Sequence, residues 1–289
     1  MPSLAVSAYA LTILLVAALI HATWNFFLKR AKEKTIVTTW ALPVTAACAL
    51  PLLLVGPPVP IEVLPYAVLS AALEAAYYLT LTYAYGIGEF SMVYPTARGT
   101  APLLLVVWST LFLGQYPNTF GVIGIGLMVL GIVIIGNASR KSGTVRYWNW
   151  PFVVALSVAV TISAYSVVDG KAVQTANPVS YTSLVFALTA LFAFPLLWKL
   201  SGKKRRIVKP ERATIVVVGV FAFLAYVLVV SVYAIAPVVY AGSIREVSIV
   251  FGAILGWLLL KEEFGLTRTL GSVLIFAGIF LIVFAGSIP

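Results

Sequence analysis

Five ionisable residues stand inside apolar runs of this chain: Glu74, His21, Arg98, and the adjacent pair Arg245 and Glu246. An ionisable side chain at the centre of a bilayer costs roughly 2.5–3.5 kcal/mol on insertion scales, and is retained mainly where it faces a partner or a wet cavity. With histidine neutral, the two arginines and two glutamates sum to zero, the balance of a paired cluster. A guanidinium stays charged and offers five donors, which suits a carboxylate, a phosphate, a phosphonate or a carbonyl-rich solute. Two duties are open to Arg98 and Arg245. They hold an anionic or zwitterionic solute, or they bond Glu74, Glu246 and backbone carbonyls and so fasten helices together. Glu74 and His21, which can change charge, are the candidates for coupling proton movement to solute movement.

Aromatic residues keep company with these charges. At helical spacing Glu74, Tyr77 and Tyr78 share one face, as do His21, Trp24 and Asn25, and again Thr161, Tyr165 and Asp169. Such stripes make a cavity wall of ring surfaces with a few polar tips, the usual lining of a small-molecule site. Tyr94, in the stretch that carries Arg98, completes the candidate set. An isolated aromatic residue is ordinary packing or part of an interfacial belt; coincidence with the charged positions is what marks these.

The elements that position them are membrane helices. The 289 residues are 62% hydrophobic and 10% charged, with mean hydropathy +1.05, whereas a soluble domain carries about a quarter charged residues. Ten apolar segments are expected: Ser7 to Leu28, Ile36 to Val55, Leu64 to Tyr85, Met92 to Leu113, Phe120 to Gly136, Trp150 to Val168, Val179 to Trp198, Ala213 to Ile235, Val238 to Leu260, and Leu266 to Ala285. Each is the length of a helical crossing and none alternates as a barrel strand must. The first lacks a basic leader and stays apolar too long for a signal peptide, so it is expected in the mature chain.

The net charge of +10 reads as a topology signal and not as a nucleic-acid footprint, because the basic residues sit in short loops. Lys29, Arg30, Lys32 and Lys34 follow segment 1; Arg140, Lys141 and Arg146 follow segment 5; seven more, from Lys199 to Arg212, follow segment 7; Lys261 and Arg268 follow segment 9. The opposite side has Lys171 alone. The positive-inside rule puts the basic loops in the cytoplasm and both termini outside, in the plasma (inner) membrane. Cys48, the single cysteine, excludes an intrachain disulfide.

The second five segments echo the first five. His21–Lys29 lines up with Thr161–Asp169, Met92–Gly99 with Val239–Glu246, and the glycines from Gly121 to Gly136 with those from Gly271 to Gly286. An odd number of crossings per half makes equivalent helices run in opposite directions. The chain is thus expected to be an all-α membrane protein of ten transmembrane helices in two inverted five-helix repeats, residues 1–140 and 141–289. Two such bundles about an in-plane axis have two nearly equivalent ways to lean, one open to each side. Pro95 and Pro102 predict a kink or break in segment 4, and Gly252 with Gly256 predicts a close helix approach in segment 9.

No paired carboxylates at ligand spacing, histidine cluster, nucleophile elbow or phosphate loop is present, so neither a metal, a cofactor nor an enzyme activity is expected. The order of Ala22-Thr-Trp-Asn25, Tyr94-Pro-Thr-Ala-Arg98-Gly99, and Arg245-Glu246 followed by Gly256-Trp-Leu-Leu-Leu-Lys261-Glu262 resembles the EamA type of the drug/metabolite transporter superfamily. The resemblance covers essentially the whole chain. Lys261-Glu262 fits the pattern at the end of each repeat's fourth helix, whereas the first repeat reads Gly114-Gln115. It implies secondary active transport of a small polar metabolite, amino acid or organic anion, often as export, from a central cavity. The competing functions are an intramembrane lipid-modifying enzyme and a flippase for lipid or lipid-linked sugar. The expected partners are a small solute, the bilayer and protons; the sequence does not give the oligomeric state.

Overall fold

In the computed structural model, residues 6–87, 90–138, 150–202, 211–260 and 266–285 are described, and among them every regular element is helical. Eleven α-helices follow in order: α1 (Ala8–Arg30), α2 (Lys34–Val55), α3 (Leu64–Ile87), α4 (Phe90–Leu113), α5 (Thr119–Ala138), α6 (Trp150–Ala172), α7 (Pro178–Leu200), α8 (Arg212–Tyr233), α9 (Val238–Arg245), α10 (Ser248–Leu260) and α11 (Leu266–Ala285). The ten expected crossings are present, the ninth divided into α9 and α10. Seven of the helices are long and apolar enough to cross a bilayer, and large apolar side chains such as Leu54, Val55, Leu111, Leu191 and Phe280 point outward.

Local chemistry fixes several helix ends. Ser7 caps α1 by accepting from the Ala10 amide at 3.1 Å, and Lys29 and Arg30 close its last turn, where the helix dipole favours cations. Asn177 caps α7 through the Val179 and Ser180 amides, with Pro178 in the first turn, the position at which a missing N–H costs nothing. Gln115 Oε1 accepts from the Val238 amide at 2.9 Å and so satisfies the start of α9. That gives Gln115 a structural task; Lys261 and Glu262 lie outside the described residues.

Packing follows the repeat. Helix α1 packs on α8 as α6 packs on α3, α2 packs on α8 as α7 packs on α3, and the self-equivalent pairs α2–α7 and α5–α11 pack on each other. The α5–α11 seam shows the inversion directly. Gly124 faces Gly278 while Gly131 faces Gly271, so one helix ascends as the other descends. A methyl group at Gly124 would lie 2.7 Å from the Gly278 carbonyl oxygen, which only a hydrogen in that place permits. Gly124 and Gly271 are as far apart in sequence as Gly131 and Gly278, and as Arg98 and Arg245, which sets the register of the repeat.

Two expectations are corrected. Pro95 and Pro102 do not break segment 4: α4 runs unbroken from Phe90 to Leu113. The break falls in segment 9, where the amides of Glu246, Val247, Ile249 and Val250 bond three residues back, to Ser243, Ile244, Glu246 and Val247. This tightened turn needs neither proline nor glycine; bonding of this kind inside a helix often marks a hinge. The close approach expected at Gly252 is also absent there, since a methyl group on Gly252 would meet open space. Helix α9 approaches α4 at Gly242 instead, against Leu105. The side chain at Gly256 lies outside those described.

Candidate functional site

Arg98 sits two turns into α4 and Glu246 just past the end of α9, and the inverted packing brings them together near mid-bundle. Arg98 Nη1 donates to both carboxylate oxygens of Glu246, at 3.1 and 3.2 Å. Arg245 Nη2 reaches the same carboxylate at 3.4 Å. All three residues are at most 3% exposed. One carboxylate therefore serves two guanidiniums, and the local sum is one positive charge. Arg98 Nη2 also donates to His21 Nε2 on α1, while the Trp24 indole N–H points at His21 Nδ1 from 3.3 Å. Guanidinium and indole are donors only and a neutral imidazole accepts at one nitrogen, so the ring takes a hydrogen bond from one of them at a time, and a protonated ring would face two donors with nothing to give its protons to. Asn25 is buried but its amide returns to the His21 carbonyl oxygen at 2.8 Å.

A chamber opens beside this triad, with walls from both halves of the chain: His21 and Trp24 of α1, Glu74, Tyr77 and Tyr78 of α3, Tyr165 of α6, Phe186 of α7, Tyr226 of α8 and Arg245 of α9. Its free space is about 30 Å³, room for one or two waters. Tyr78, Tyr77, Tyr165 and Tyr226 form an unbroken edge-to-face chain with centroids 5.2, 6.0 and 5.6 Å apart. Glu74 is 4% exposed. Its Oε2 accepts from Thr189 Oγ1 at 3.3 Å, and it has no ion pair among the described residues.

Different contacts flank the chamber on its two sides. Behind Tyr226 lies Asp169, fully buried, accepting from the Tyr181 hydroxyl at 2.8 Å and from the Tyr226 hydroxyl. Further out, Gln174 Nε2 donates to the Gly170 and Tyr233 carbonyls at 3.1 and 3.3 Å. These contacts tie α6 to α7 and α8 on the side of Lys171. Toward the basic loops a second recess, lined by Leu28, Lys34, Thr38, Tyr85 and Val218, shares Trp24, Tyr78 and Ala222 with the chamber.

The structure thus brings His21, Trp24, Glu74, Tyr77, Tyr78, Tyr165 and Arg245 to one cavity, with Arg98 and Glu246 immediately behind. Asn25 supports the backbone of α1 instead of lining the chamber. The side chain of Tyr94 lies outside those described. Sequence reasoning placed Asp169 only in a stripe and left it out of the charge sum; with it the buried set around the chamber holds three carboxylates, Glu74, Asp169 and Glu246, against two guanidiniums, while a fourth buried carboxylate, Glu211, lies apart at the start of α8. The signal was present, but segment 6 was closed at Val168, before the charge, whereas α6 continues to Ala172. Thr189, Phe186, Tyr181 and Tyr226 carry no sequence signal beyond their type.

A family model described as the EamA-like transporter family matches residues 8–137 and again 149–284. The chain is also similar in fold to a solved crystal structure, with a TM-score of 0.77 at 17% sequence identity, covering 98% of this chain and 99% of that one. No curated protein sequence matches. Two successive matches, the first over α1–α5 and the second over α6–α11 of an integral, multi-pass membrane bundle, establish that the chain belongs to the EamA-like transporter family.

Proposed function

We propose that this chain is a secondary active transporter that exports a small polar metabolite, an amino acid or a related zwitterion, by alternating access. The single observation that carries the proposal is the chamber between the repeats, faced by an acid, Glu74, and a base, Arg245, and walled by tyrosines. A solute with both charges fits between them, and its body rests on the rings. His21, Trp24, Tyr77, Tyr78 and Tyr165 contact the solute; Arg98 and Glu246 hold Arg245 in place; Tyr94 and Asn25 remain in the candidate set as neighbours along α4 and α1.

The repeats, 1–140 and 141–289, lean against each other about the α5–α11 seam. The contracted chamber, the Asp169 bonds on the Lys171 side and the recess that reaches Lys34 support a state poised toward the basic loops. By the positive-inside rule that is the cytoplasm of a plasma (inner) membrane, with both termini outside, and uptake of solute from that side is the first step of export. Glu74 couples the cycle to protons. His21 is the weaker candidate, because two donors face its ring.

The test is efflux from proteoliposomes loaded with a panel of amino acids and organic acids, with and without an imposed pH gradient. The parent is expected to show saturable efflux that responds to the gradient; Glu74→Gln keeps exchange and loses the response; Arg245→Ala lowers efflux of the amino acids. No saturable efflux of any member of the panel overturns the proposal, and an unchanged gradient response in Glu74→Gln removes that residue from coupling.

A further inference from the structure

The charges of the chamber are unequally provided for. On the α4–α9 side, Arg98 spends its Nη1 on both oxygens of Glu246 and its Nη2 on His21. Arg245 shares that same carboxylate, and its Nε alone is a buried donor with no partner among the described residues. On the α3–α6 side, two carboxylates, Glu74 and Asp169, stand without an ion pair among the described residues. Asp169 is answered by two tyrosine hydroxyls from behind. Glu74 is answered by Thr189 on Oε2 only, and its Oε1 has no hydrogen-bond partner among the described residues.

Two more oxygens belong to residues that line the same space. The hydroxyls of Tyr78 and Tyr165, both chamber-lining residues, make no hydrogen bond to a described residue. Glu74 Oε1, Tyr78 Oη and Tyr165 Oη make three oxygen acceptors, and a primary ammonium has three N–H donors. The rings of Tyr77, Tyr78, Tyr165 and Tyr226 supply electron-rich surface, which attracts a cation held over a ring face, more strongly when it is desolvated. A carboxylate ligand finds less: its donor would be Arg245, which already serves Glu246, a neighbouring carboxylate that repels a second one.

From this we infer that the group the chamber selects is an ammonium ion, with Glu74 as its counter-ion and the Tyr78 and Tyr165 hydroxyls as its remaining acceptors. Amines that lack any carboxylate are then ligands, and carboxylates that lack an amine are not. The bound ammonium supplies the one positive charge by which the two guanidiniums around the chamber fall short of its three carboxylates, Glu74, Asp169 and Glu246. A carboxylate elsewhere on the solute is tolerated at Arg245 but not required. The inference rests on the transporter proposal above and names the chemical class that the same site takes.

Three probes with one body and different heads decide it: hexylamine, norleucine and hexanoate, with benzyltrimethylammonium as a cation that can use the rings but cannot donate. Binding is read from thermal unfolding of the purified full-length chain in detergent, across a concentration series of each. Hexylamine and norleucine are expected to raise the unfolding temperature saturably, and hexanoate to leave it unmoved. Benzyltrimethylammonium binds more weakly than hexylamine. Glu74→Gln lowers hexylamine affinity at least tenfold. Should that variant not fold, the double variant Tyr78→Phe with Tyr165→Phe, which keeps both rings, must lower it severalfold. Hexanoate binding as tightly as hexylamine, retention of amine affinity in these variants, or no response to any amine up to millimolar concentration overturns the inference. The outcomes separate from those of the transport assay: carrier-mediated efflux of hexanoate would sink the ammonium site and leave transport standing, whereas saturable amine binding with no flux of any solute would do the reverse.

Discussion

Glu246 is the point at which the buried electrostatics can be tested most sharply. It is 1% exposed and receives Arg98 at 3.1 Å and Arg245 at 3.4 Å. Replacing it by leucine takes from two guanidiniums in a low-dielectric interior the carboxylate they share. Removing one partner of a buried pair costs about 3–5 kcal/mol, because the survivor keeps its desolvation penalty without its attraction. Since two cations lose the same partner, Glu246→Leu is expected at the upper end of that range, a large share of the ~5–15 kcal/mol that holds a typical fold. The triple variant Arg98→Met, Arg245→Met, Glu246→Leu removes the stranded charges as well and should recover most of the loss, since apolar replacement of a whole buried ionic set is often neutral or better. Both are read by equilibrium unfolding in mixed dodecylmaltoside–SDS micelles, followed by circular dichroism. A single variant within about 1 kcal/mol of the parent, or a triple variant no more stable than the single one, would show that water or lipid headgroups reach these arginines, and the buried-triad account would fail.

Three further outcomes follow from packing, hydrogen bonding and topology. Gly124→Val should lose at least ~1–3 kcal/mol by overpacking the α5–α11 seam, while Gly126→Val, whose added carbon meets open space, should stay within about 0.5 kcal/mol; equal losses would discount the seam. Tyr181→Phe removes a 2.8 Å hydrogen bond to a buried carboxylate and should cost ~1.5–3 kcal/mol in the same unfolding assay, so an unchanged midpoint would mean that Asp169 is otherwise satisfied. In a Cys48→Ser background, Glu62→Cys should react with an impermeant maleimide on intact cells and Lys32→Cys only after permeabilisation, both positions being exposed; the opposite pattern reverses the orientation.

The membrane crossings were legible because apolar length is a strong and additive signal, and the Arg98, His21, Arg245 and Glu246 cluster because charge at that depth demands a partner. What escaped was relational. Asp169 was set aside because a hydropathy boundary stops at the first charge, and only packing shows that α7 and α8 cover it with Tyr181 and Tyr226. Thr189, Phe186 and Tyr226 are commonplace residues in segments 7 and 8 whose facing depends on how those helices turn. The break in segment 9 was invisible because residues 246 and 247, glutamate and valine, carry no breaker chemistry. The prolines of segment 4 do not interrupt its helix, since neighbours can satisfy the groups that two missing donors leave free.

The tightened turn between α9 and α10 has no counterpart in α4. Two levers that ought to be mirror images therefore differ in stiffness, one a solid rod and the other articulated at its middle, beside the ionic knot. A balance built with unlike arms does not rest level. Under the alternating access proposed above, its two postures would differ in free energy before any cargo arrives, and the empty carrier would have a default side set by its own backbone.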